Sequence, residues 1–212
     1  MNEPIVILGG TFDPVHIGHL RVALEASEAL SAPVRLLPAH VPPHRPAPVA
    51  SAMLRVAMLR AALAGQDRLR LDTRELDRSE PSYTVDTLRQ MREEFGAATS
   101  LILLLGADAF AGLPTWHDWR ELFNLAHIAV MTRPGHDARL PADMETEVVA
   151  RRVASAADLR ATPSGKVLDL PVTPLEVSAS AVRKVLAAGL DPRWLVPDAL
   201  LADPYLLAPY RR

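Results

Sequence analysis

Short apolar runs alternate with helical segments along the whole chain of 212 residues. The run "LILLL" (101–105) is apolar on both faces, which is typical of a central strand in a parallel sheet. Segments such as "HLRVALEASEAL" (19–30) have the apolar spacing and the residue types of helices. This alternation predicts an α/β fold with a doubly wound parallel sheet. The predicted strands are residues 4–8, 34–38, 68–72, 101–105, 127–132 and 166–170.

Helices are predicted in the intervals between these strands and in the C-terminal part of the chain. Ser82 is the expected N-cap of one helix, and Gly189 is expected to end the last long one. The tail from Asp191 is expected to dock as short helices. No repeat or compositional break divides the sequence, so we predict a single domain, 1–212, with 178–212 as its C-terminal helical segment. The predicted helices are 19–30, 51–63, 82–96, 117–126, 142–157 and 178–189.

Composition excludes several classes of function. The 23 basic and 25 acidic residues are interspersed and give a net charge of −2, so neither nucleic acid nor an anionic membrane is an expected partner. Cysteine is absent, which excludes disulfides, thiolate catalysis and cysteine-bound zinc. No run approaches the roughly 20 apolar residues of a membrane span, and no signal peptide is recognisable. A cytoplasmic protein is the expectation.

Glycines and unusual polar residues follow the predicted strands. The segment "GGTFDP" follows the first strand, "PAHVPPHR" the second, "GAD" the run "LILLL", and "RPG" the run "HIAVMT". In open parallel sheets, ligands bind outside the carboxyl ends of the strands. These four segments are therefore expected to converge on one site.

The segment "GGTFDPVHIGHL" (9–20) combines two glycines with two histidines. Gly9 and Gly10 allow close approach of the backbone to an anion, although glycines also fit an ordinary tight turn. The spacing matches neither a redox Rossmann fingerprint nor a Walker A loop. His16 and His19, three residues apart at a helix start, are expected to face this turn. A zinc pair is the alternative, but no third ligand is evident close by.

The motif "HIGH" (16–19) resembles the HxGH signature of the nucleotidylyltransferase superfamily, which also contains class I aminoacyl-tRNA synthetases. The segment "SASAVR" (178–183) resembles the second signature of that superfamily, hydroxyl residues followed by arginine at a helix start. The ordered set "GGTFDPVHIGHL", "VPPHR", "PSYTVDTL", "GAD", "PTWHDW", "RPG" and "SASAVR" resembles the bacterial nicotinate-nucleotide adenylyltransferase family over nearly the whole chain. The resemblance implies a Rossmann-like nucleotidylyltransferase fold.

The activity implied by the resemblance is adenylyl transfer from ATP to nicotinate mononucleotide in NAD biosynthesis, with release of pyrophosphate. The absence of an obvious nucleophilic side chain agrees with this reaction. A phosphate monoester carries about −1.5 to −2 charges at pH 7 and can itself attack phosphorus. The protein then has to position two polyanions and to neutralise the charge that develops.

The resemblance also implies the roles of individual residues around ATP. His16 and His19 would contact the ATP phosphates and stabilise the transition state, and Arg183 would bind the β- and γ-phosphates. Three of the implied residues have simpler explanations: Asp108 and Ser178 as helix N-caps, and Arg133 as a surface ion-pair partner. The implied ATP-binding residues are Gly9, Gly10, Thr11, Phe12, Gly106, Asp108, Arg133, Ser178 and Ser180.

On the acceptor side, Trp116 would be the aromatic platform for the pyridine ring, although it could instead belong to the core. Thr84 would help to fix the nicotinate carboxylate, and His44 and Arg45, in the proline-rich loop 38–48, would surround the mononucleotide phosphate. Relatives commonly carry asparagines at the positions of Ala39 and His40, which weakens the transfer of acceptor contacts. Mg²⁺ is expected to arrive with ATP, since no carboxylate cluster suggests a site built by the protein.

Other functions remain open at the level of sequence. They are another nucleotidylyltransferase with nicotinamide mononucleotide or pantetheine phosphate as acceptor, and a non-catalytic nucleotide-sensing module. A class I synthetase is disfavoured because 212 residues leave no room for tRNA-recognition domains. Homo-oligomerisation is left open as well.

Overall fold

The computed structural model describes residues 3–40, 47–78, 82–132 and 140–211. Within these ranges all the strand pairings of the main sheet are parallel, which confirms the predicted α/β class. The strands are Ile5–Gly10 (β1), Val34–Pro38 (β2), Leu69–Leu71 (β3), Leu101–Gly106 (β4), His127–Thr132 (β5), Arg152–Val153 (β6) and Val167–Pro171 (β7).

The order of the strands is β3-β2-β1-β4-β5-β7-β6. The chain runs outwards from β1 to β3, returns to β4 beside β1 and continues to β5; β6 then forms the far edge, and β7 lies between β5 and β6. The point of reversal lies between β1 and β4, where Leu8 is paired with Leu104. Ligands of doubly wound sheets bind in the crevice at this point of reversal. The turns after β1 and β4 are therefore adjacent.

Helices cover both faces of the sheet. Successive side chains of β1 point to opposite faces, so Val6 and Leu8 are buried in one hydrophobic cluster and Ile7 in the other. The helices are Ile17–Leu30 (α1), Ala52–Leu63 (α2), Thr84–Phe95 (α3), Ala107–Ala111 (α4), Leu122–Leu125 (α5), Ala142–Val149 (α6), Ala156–Arg160 (α7), Ala179–Ala187 (α8) and Asp198–Ala202 (α9).

The predicted helix 142–157 is wrong beyond Val149. Arg152–Val153 instead pairs with β7 as an edge strand. Ser155 then starts a new helix, because its backbone N–H donates to the Asp158 carboxylate at 3.0 Å in a capping box. Backbone pairing and a second cap outweigh the helical periodicity.

Two predicted helix starts are also corrected. Ser82 is not an N-cap: α3 begins at Thr84, and the Ser82 hydroxyl accepts the backbone N–H of His40 at 3.0 Å. The helix predicted over 117–126 is shortened to the 3₁₀ turn Trp119–Glu121 followed by α5. Asp118, with φ of 49°, has left-handed backbone geometry that interrupts the helix.

The C-terminal tail docks as short helices, as predicted. After α9 the chain closes with the 3₁₀ helix Ala208–Arg211, and Leu200, Leu207 and Tyr210 are buried in the same cluster as Val6. Among the described residues, no helix is long and apolar enough to cross a membrane. The single-domain assignment, with 178–212 as its helical segment, stays a prediction.

Candidate active site

The glycine turn at the end of β1 is shaped by Phe12. Phe12 has φ of 49°, a left-handed conformation that costs a side-chain-bearing residue about 1 to 3 kcal/mol. Its buried ring lies over Gly10, where an added Cβ would approach Phe12 Cζ to 2.9 Å. A Cβ on Gly9 would meet nothing within 4 Å. Gly10 is therefore needed for packing, and Gly9 borders open space.

The two histidines stand together beside this turn, as predicted. His16 is the N-cap of α1, and its ring stacks on that of His19 with centroids 3.6 Å apart. The ring of Phe12 meets the edge of His19 at 4.9 Å. The backbone N–H of His16 donates to Nδ1 of His19 at 3.3 Å. Nδ1 is therefore unprotonated, and the proton of the neutral His19 ring is on Nε2.

Burial determines the charge of His16. The residue is 5% exposed, and desolvation lowers the pKa of His16 to about 4. The protein surroundings thus keep this imidazole neutral at pH 7. Its Nδ1 has no hydrogen-bond partner among the described residues. This nitrogen is itself buried and lies against the first turn of α1, where a Cβ on Gly18 would be 3.0 Å away.

Gly18, the glycine of "HIGH", was missed in the sequence analysis. An added Cβ would lie 3.0 Å from Nδ1 of His16 and 3.3 Å from the backbone carbonyl of Val177. Glycine at this position lets α1 approach both the His16 ring and the segment that leads into α8. The available signal was a glycine in the first turn of a helix, which weakens the helix unless packing requires it.

The segment "SASAVR" lies across from the histidines. Ser178 caps α8, since its hydroxyl accepts the backbone N–H of Ala181 at 3.2 Å. The hydroxyls of Ser178 and Ser180 are 3.0 Å apart, and both residues are exposed. Arg183 Nη1 donates to the backbone carbonyl of Asp13 at 2.7 Å. This hydrogen bond joins two motifs that are 170 residues apart in the sequence.

Asp13 links these segments and was also missed. Its carboxylate accepts the backbone N–H groups of Val49 at 2.8 Å and Ala50 at 3.0 Å. It also accepts the hydroxyl of Tyr210 at 2.6 Å. The sequence offered no signal for this role, because the three partners are distant along the chain.

A second buried polar residue, Arg55 of α2, joins the ends of β1 and β2. Arg55 Nη1 donates to the backbone carbonyls of Thr11 at 2.9 Å and Ala39 at 2.7 Å. The side chain is only 1% exposed. Its position within an amphipathic helix suggested no such contact.

The predicted acceptor-side residues occupy a neighbouring part of the same edge. Thr84 is the first residue of α3, and Trp116 is half-buried against the second hydrophobic cluster, which also agrees with the alternative core role. The rings of Tyr83 and His117 lie 4.6 Å apart, so the segments that carry Thr84 and Trp116 are in contact.

Gly106 and Asp108 follow β4 as predicted. Gly106 is the N-cap of α4, and a Cβ there would meet nothing within 4 Å. Asp108 is exposed within the first turn, so the alternative that Asp108 is the N-cap is wrong. The predicted residues His44, Arg45 and Arg133 lie outside the described residues.

The described part of the chain contains no group of three His, Asp or Glu residues placed to hold a metal ion. The zinc alternative also meets a specific obstacle. Nδ1 of His19 already accepts the His16 N–H, and that nitrogen is not available as a ligand. The remaining polar groups beside the glycine turn suit an anionic ligand better than a metal held by the protein alone.

A family model described as cytidylyltransferase-like matches residues 7–185, which places the fold and the paired signatures in this class of nucleotidylyltransferases. A probable nicotinate-nucleotide adenylyltransferase of Pseudomonas fluorescens is 50% identical over 95% of this chain and 94% of its own. One of Dechloromonas aromatica is 47% identical over 95% and 94%. The chain belongs to the nicotinate-nucleotide adenylyltransferase family.

A solved structure has the same fold. It is the Plasmodium falciparum nicotinic acid mononucleotide adenylyltransferase complexed with NaAD, which matches with a TM-score of 0.70. The match covers 95% of this chain and 96% of that one at 16% identity. At such low identity the comparison supports the doubly wound architecture and its C-terminal helical part.

Proposed function

We propose that this protein transfers the adenylyl group of ATP to nicotinate mononucleotide, yielding nicotinate adenine dinucleotide and pyrophosphate in NAD biosynthesis. The observation that carries the proposal is the meeting of two distant motifs at one end of the sheet. Arg183 of α8 reaches the turn between Gly9 and the stacked histidines. Membership of the family supplies the acceptor and the adenylyl donor. A cytoplasmic location belongs to the same proposal.

The site suits a reaction in which the substrate provides the nucleophile. A phosphate oxygen of the mononucleotide attacks the α-phosphorus of ATP and forms the new P–O bond. The bond from the α-phosphorus to the oxygen bridging to the β-phosphorus breaks, and its electron pair leaves with pyrophosphate. Because the attacking phosphate is already ionised at pH 7, no side chain has to remove a proton.

The residues around the turn can stabilise the negative charge on the phosphoryl oxygens in different ways. Nε2–H of His19 is a donor whose orientation is set by the hydrogen bond at Nδ1. His16, neutral at pH 7, offers hydrogen bonding without a full charge. Arg183 brings a permanent positive charge, and its other N–H groups can face the departing phosphates. The amide ends of α1 and α8 add partial positive charge.

We assign the other predicted ATP contacts that lie within the described residues to the surroundings of this turn. Gly9 and Gly106 border open space at the ends of adjacent strands, where the nucleotide can approach the backbone. Asp108 is exposed next to Gly106 and can accept hydrogen bonds from ribose hydroxyls. Ser178 and Ser180 present exposed hydroxyls at the start of α8. Thr11 and Phe12 contribute backbone of the turn itself.

Mg²⁺ arrives with ATP in this proposal. The metal would neutralise part of the charge on the phosphates of ATP. The Asp13 carboxylate is already engaged by three donors, so it is a poor candidate for a ligand. The chain's own residues fit a metal carried by the nucleotide.

The acceptor pocket is assigned to the region of Thr84 and Trp116. The N-terminal end of α3, which begins at Thr84, favours a carboxylate over a neutral amide, since helix N-termini attract anions. Trp116 offers the pyridine ring an aromatic face. This pocket favours nicotinate over nicotinamide.

The test is to incubate the protein with Mg-ATP and nicotinate mononucleotide, and to measure both pyrophosphate and the dinucleotide. Nicotinamide mononucleotide and pantetheine phosphate are assayed side by side as acceptors. We expect nicotinate mononucleotide to have the highest kcat/KM. His19→Ala should lower kcat by about 100-fold or more with little change in KM for the mononucleotide, because the imidazole acts on charge that develops in the transition state. Faster turnover with another acceptor, or none with any, would contradict the proposal.

A further inference from the structure

We propose that Tyr210 is a positioning residue for the phosphate-binding half of this site. It lies in the C-terminal 3₁₀ helix, Ala208–Arg211, outside both sequence motifs. Its hydroxyl holds the Asp13 carboxylate, and Asp13 in turn holds Arg183. The inference rests on the proposed function for the role of Arg183.

The contact between Tyr210 and Asp13 is short and shielded from water. The hydroxyl donates to Oδ1 of Asp13 at 2.6 Å, and Tyr210 and Asp13 are 3% and 5% exposed. Burial and the neighbouring carboxylate raise the pKa of the Tyr210 hydroxyl above its ordinary value. Tyr210 therefore remains a hydrogen-bond donor throughout the working pH range. A buried bond to a charged group is stronger than one between neutral groups.

Asp13 transmits this contact to Arg183. Arg183 Nη1 donates to the Asp13 carbonyl at 2.7 Å and lies 3.9 Å from Oδ2 of the same residue. The Arg183 side chain is 35% exposed, so part of it is accessible to a ligand. Without the Tyr210 hydroxyl, Oδ1 keeps only the backbone N–H of Ala50 among these contacts. The Asp13 residue is then held less firmly, and so is the guanidinium bound to it.

The same carboxylate also binds the segment that leads into α2. Oδ2 of Asp13 accepts the N–H of Val49, and Oδ1 accepts that of Ala50. These two residues precede α2, whose N-cap is Ser51. The C-terminal end of the protein is thus tied, through one side chain, to the turn before the histidines and to the start of α2.

The substitution Tyr210→Phe removes one hydroxyl and keeps the buried ring. The matched control is Tyr205→Phe, because Tyr205 lies in the same tail but is 80% exposed. Affinity for Mg-ATP is measured by calorimetric titration, and kcat and KM are measured for each substrate. We expect Tyr210→Phe to lower kcat/KM for ATP by about tenfold or more, while KM for the mononucleotide changes by less than about twofold. Tyr205→Phe should match the wild type.

A second comparison separates positioning from a general loss of folding. Tyr210→Phe is introduced into the Arg183→Ala background, where it should have little further effect on ATP affinity if it acts through Arg183. Circular dichroism at the assay temperature confirms that each variant is folded. An equal loss in both backgrounds, or wild-type behaviour of Tyr210→Phe, would overturn the inference.

The two proposals fail in different ways. ATP affinity does not depend on which acceptor the protein uses. Weaker ATP binding in Tyr210→Phe, together with a wild-type protein that does not use nicotinate mononucleotide, would reject the proposed acceptor and support the positioning role. A fully active wild type with an unaffected Tyr210→Phe variant would do the reverse.

Discussion

His16 shows how one side chain can serve the site at a cost to stability in acid. Burial lowers its pKa from 6.5 to about 4 in the folded protein. The unfolded chain binds a proton at this residue as the pH falls through about 6.5, whereas the folded protein resists until about 4. The free energy of unfolding therefore decreases as the pH falls across this window.

This pH dependence can be measured by comparing the wild type with His16→Gln. Between about pH 7.5 and pH 5, the wild type should lose roughly 2 kcal/mol more of its unfolding free energy than the variant, because only the wild type carries this imidazole. Urea titrations at the two pH values give both quantities. Identical losses in the two proteins would show that His16 is readily protonated in the folded state.

The residues that local sequence patterns single out are only part of those that support the candidate site. The histidines and the glycine turn could be predicted because their chemistry and their spacing are local. Asp13, Arg55 and Tyr210 could not, because each acts through partners that only the fold brings near. Gly18 lies between these cases: it is local in sequence, but its neighbours are the His16 ring and the Val177 carbonyl.

Among the secondary-structure elements, the ends of β1 and β2 are joined by Arg55 of α2. A single buried guanidinium donates to the carbonyls of Thr11 and Ala39, one at the end of each strand. Burial lowers the pKa of Arg55, although an arginine remains charged at pH 7. The helix α2 thus holds the turn after β1 and the start of the segment after β2 in fixed positions relative to each other.

Arg55→Met should be strongly destabilising, by about 2 to 4 kcal/mol, because it removes a buried guanidinium and leaves two partly buried carbonyls without this donor. Arg60→Met is the matched control, since Arg60 is exposed on the same helix. It should cost less than about 0.5 kcal/mol. Urea denaturation of both variants at pH 7 provides the comparison. Similar midpoints for the two variants would show that the Arg55 hydrogen bonds contribute little.

The helix boundaries depend on contacts with other elements, which the apolar periodicity of the sequence does not show. The helix predicted over 142–157 is interrupted because Arg152–Val153 gains pairing with β7. Ser82 serves the backbone of His40 rather than its own helix. In the first case backbone groups, and in the second a side-chain hydroxyl, bind a partner in another element. The local sequence pattern assigns the same groups to a helix.

In the proposed reaction, both nucleotides bind at one edge of the doubly wound sheet. The chain offers a scaffold for direct transfer, in which the acceptor oxygen enters opposite the leaving pyrophosphate. A single in-line displacement inverts the configuration at the α-phosphorus, whereas two displacements through a covalent intermediate retain it.

The stereochemical outcome can be determined with ATP that is chiral at the α-phosphorus through sulfur substitution. We expect the dinucleotide to carry the inverted configuration, because the described residues around the turn supply hydrogen-bond donors and a guanidinium, and the substrate phosphate supplies the nucleophile. Phosphorus NMR of the product distinguishes the two diastereomers. Retention would indicate that the adenylyl group is first transferred to a side chain of the protein.

The sequence alone determined the fold class and the signatures of the site, since strand and helix patterns and the spacing of histidines, glycines and hydroxyl residues are properties of short segments. Tertiary structure decided which distant residues support them. Asp13 is joined to Tyr210 across 197 positions and to Arg183 across 170, and no local pattern marks such a pair. The reason is physical: a buried carboxylate must find donors wherever the packed chain supplies them, and packing is a property of the whole fold.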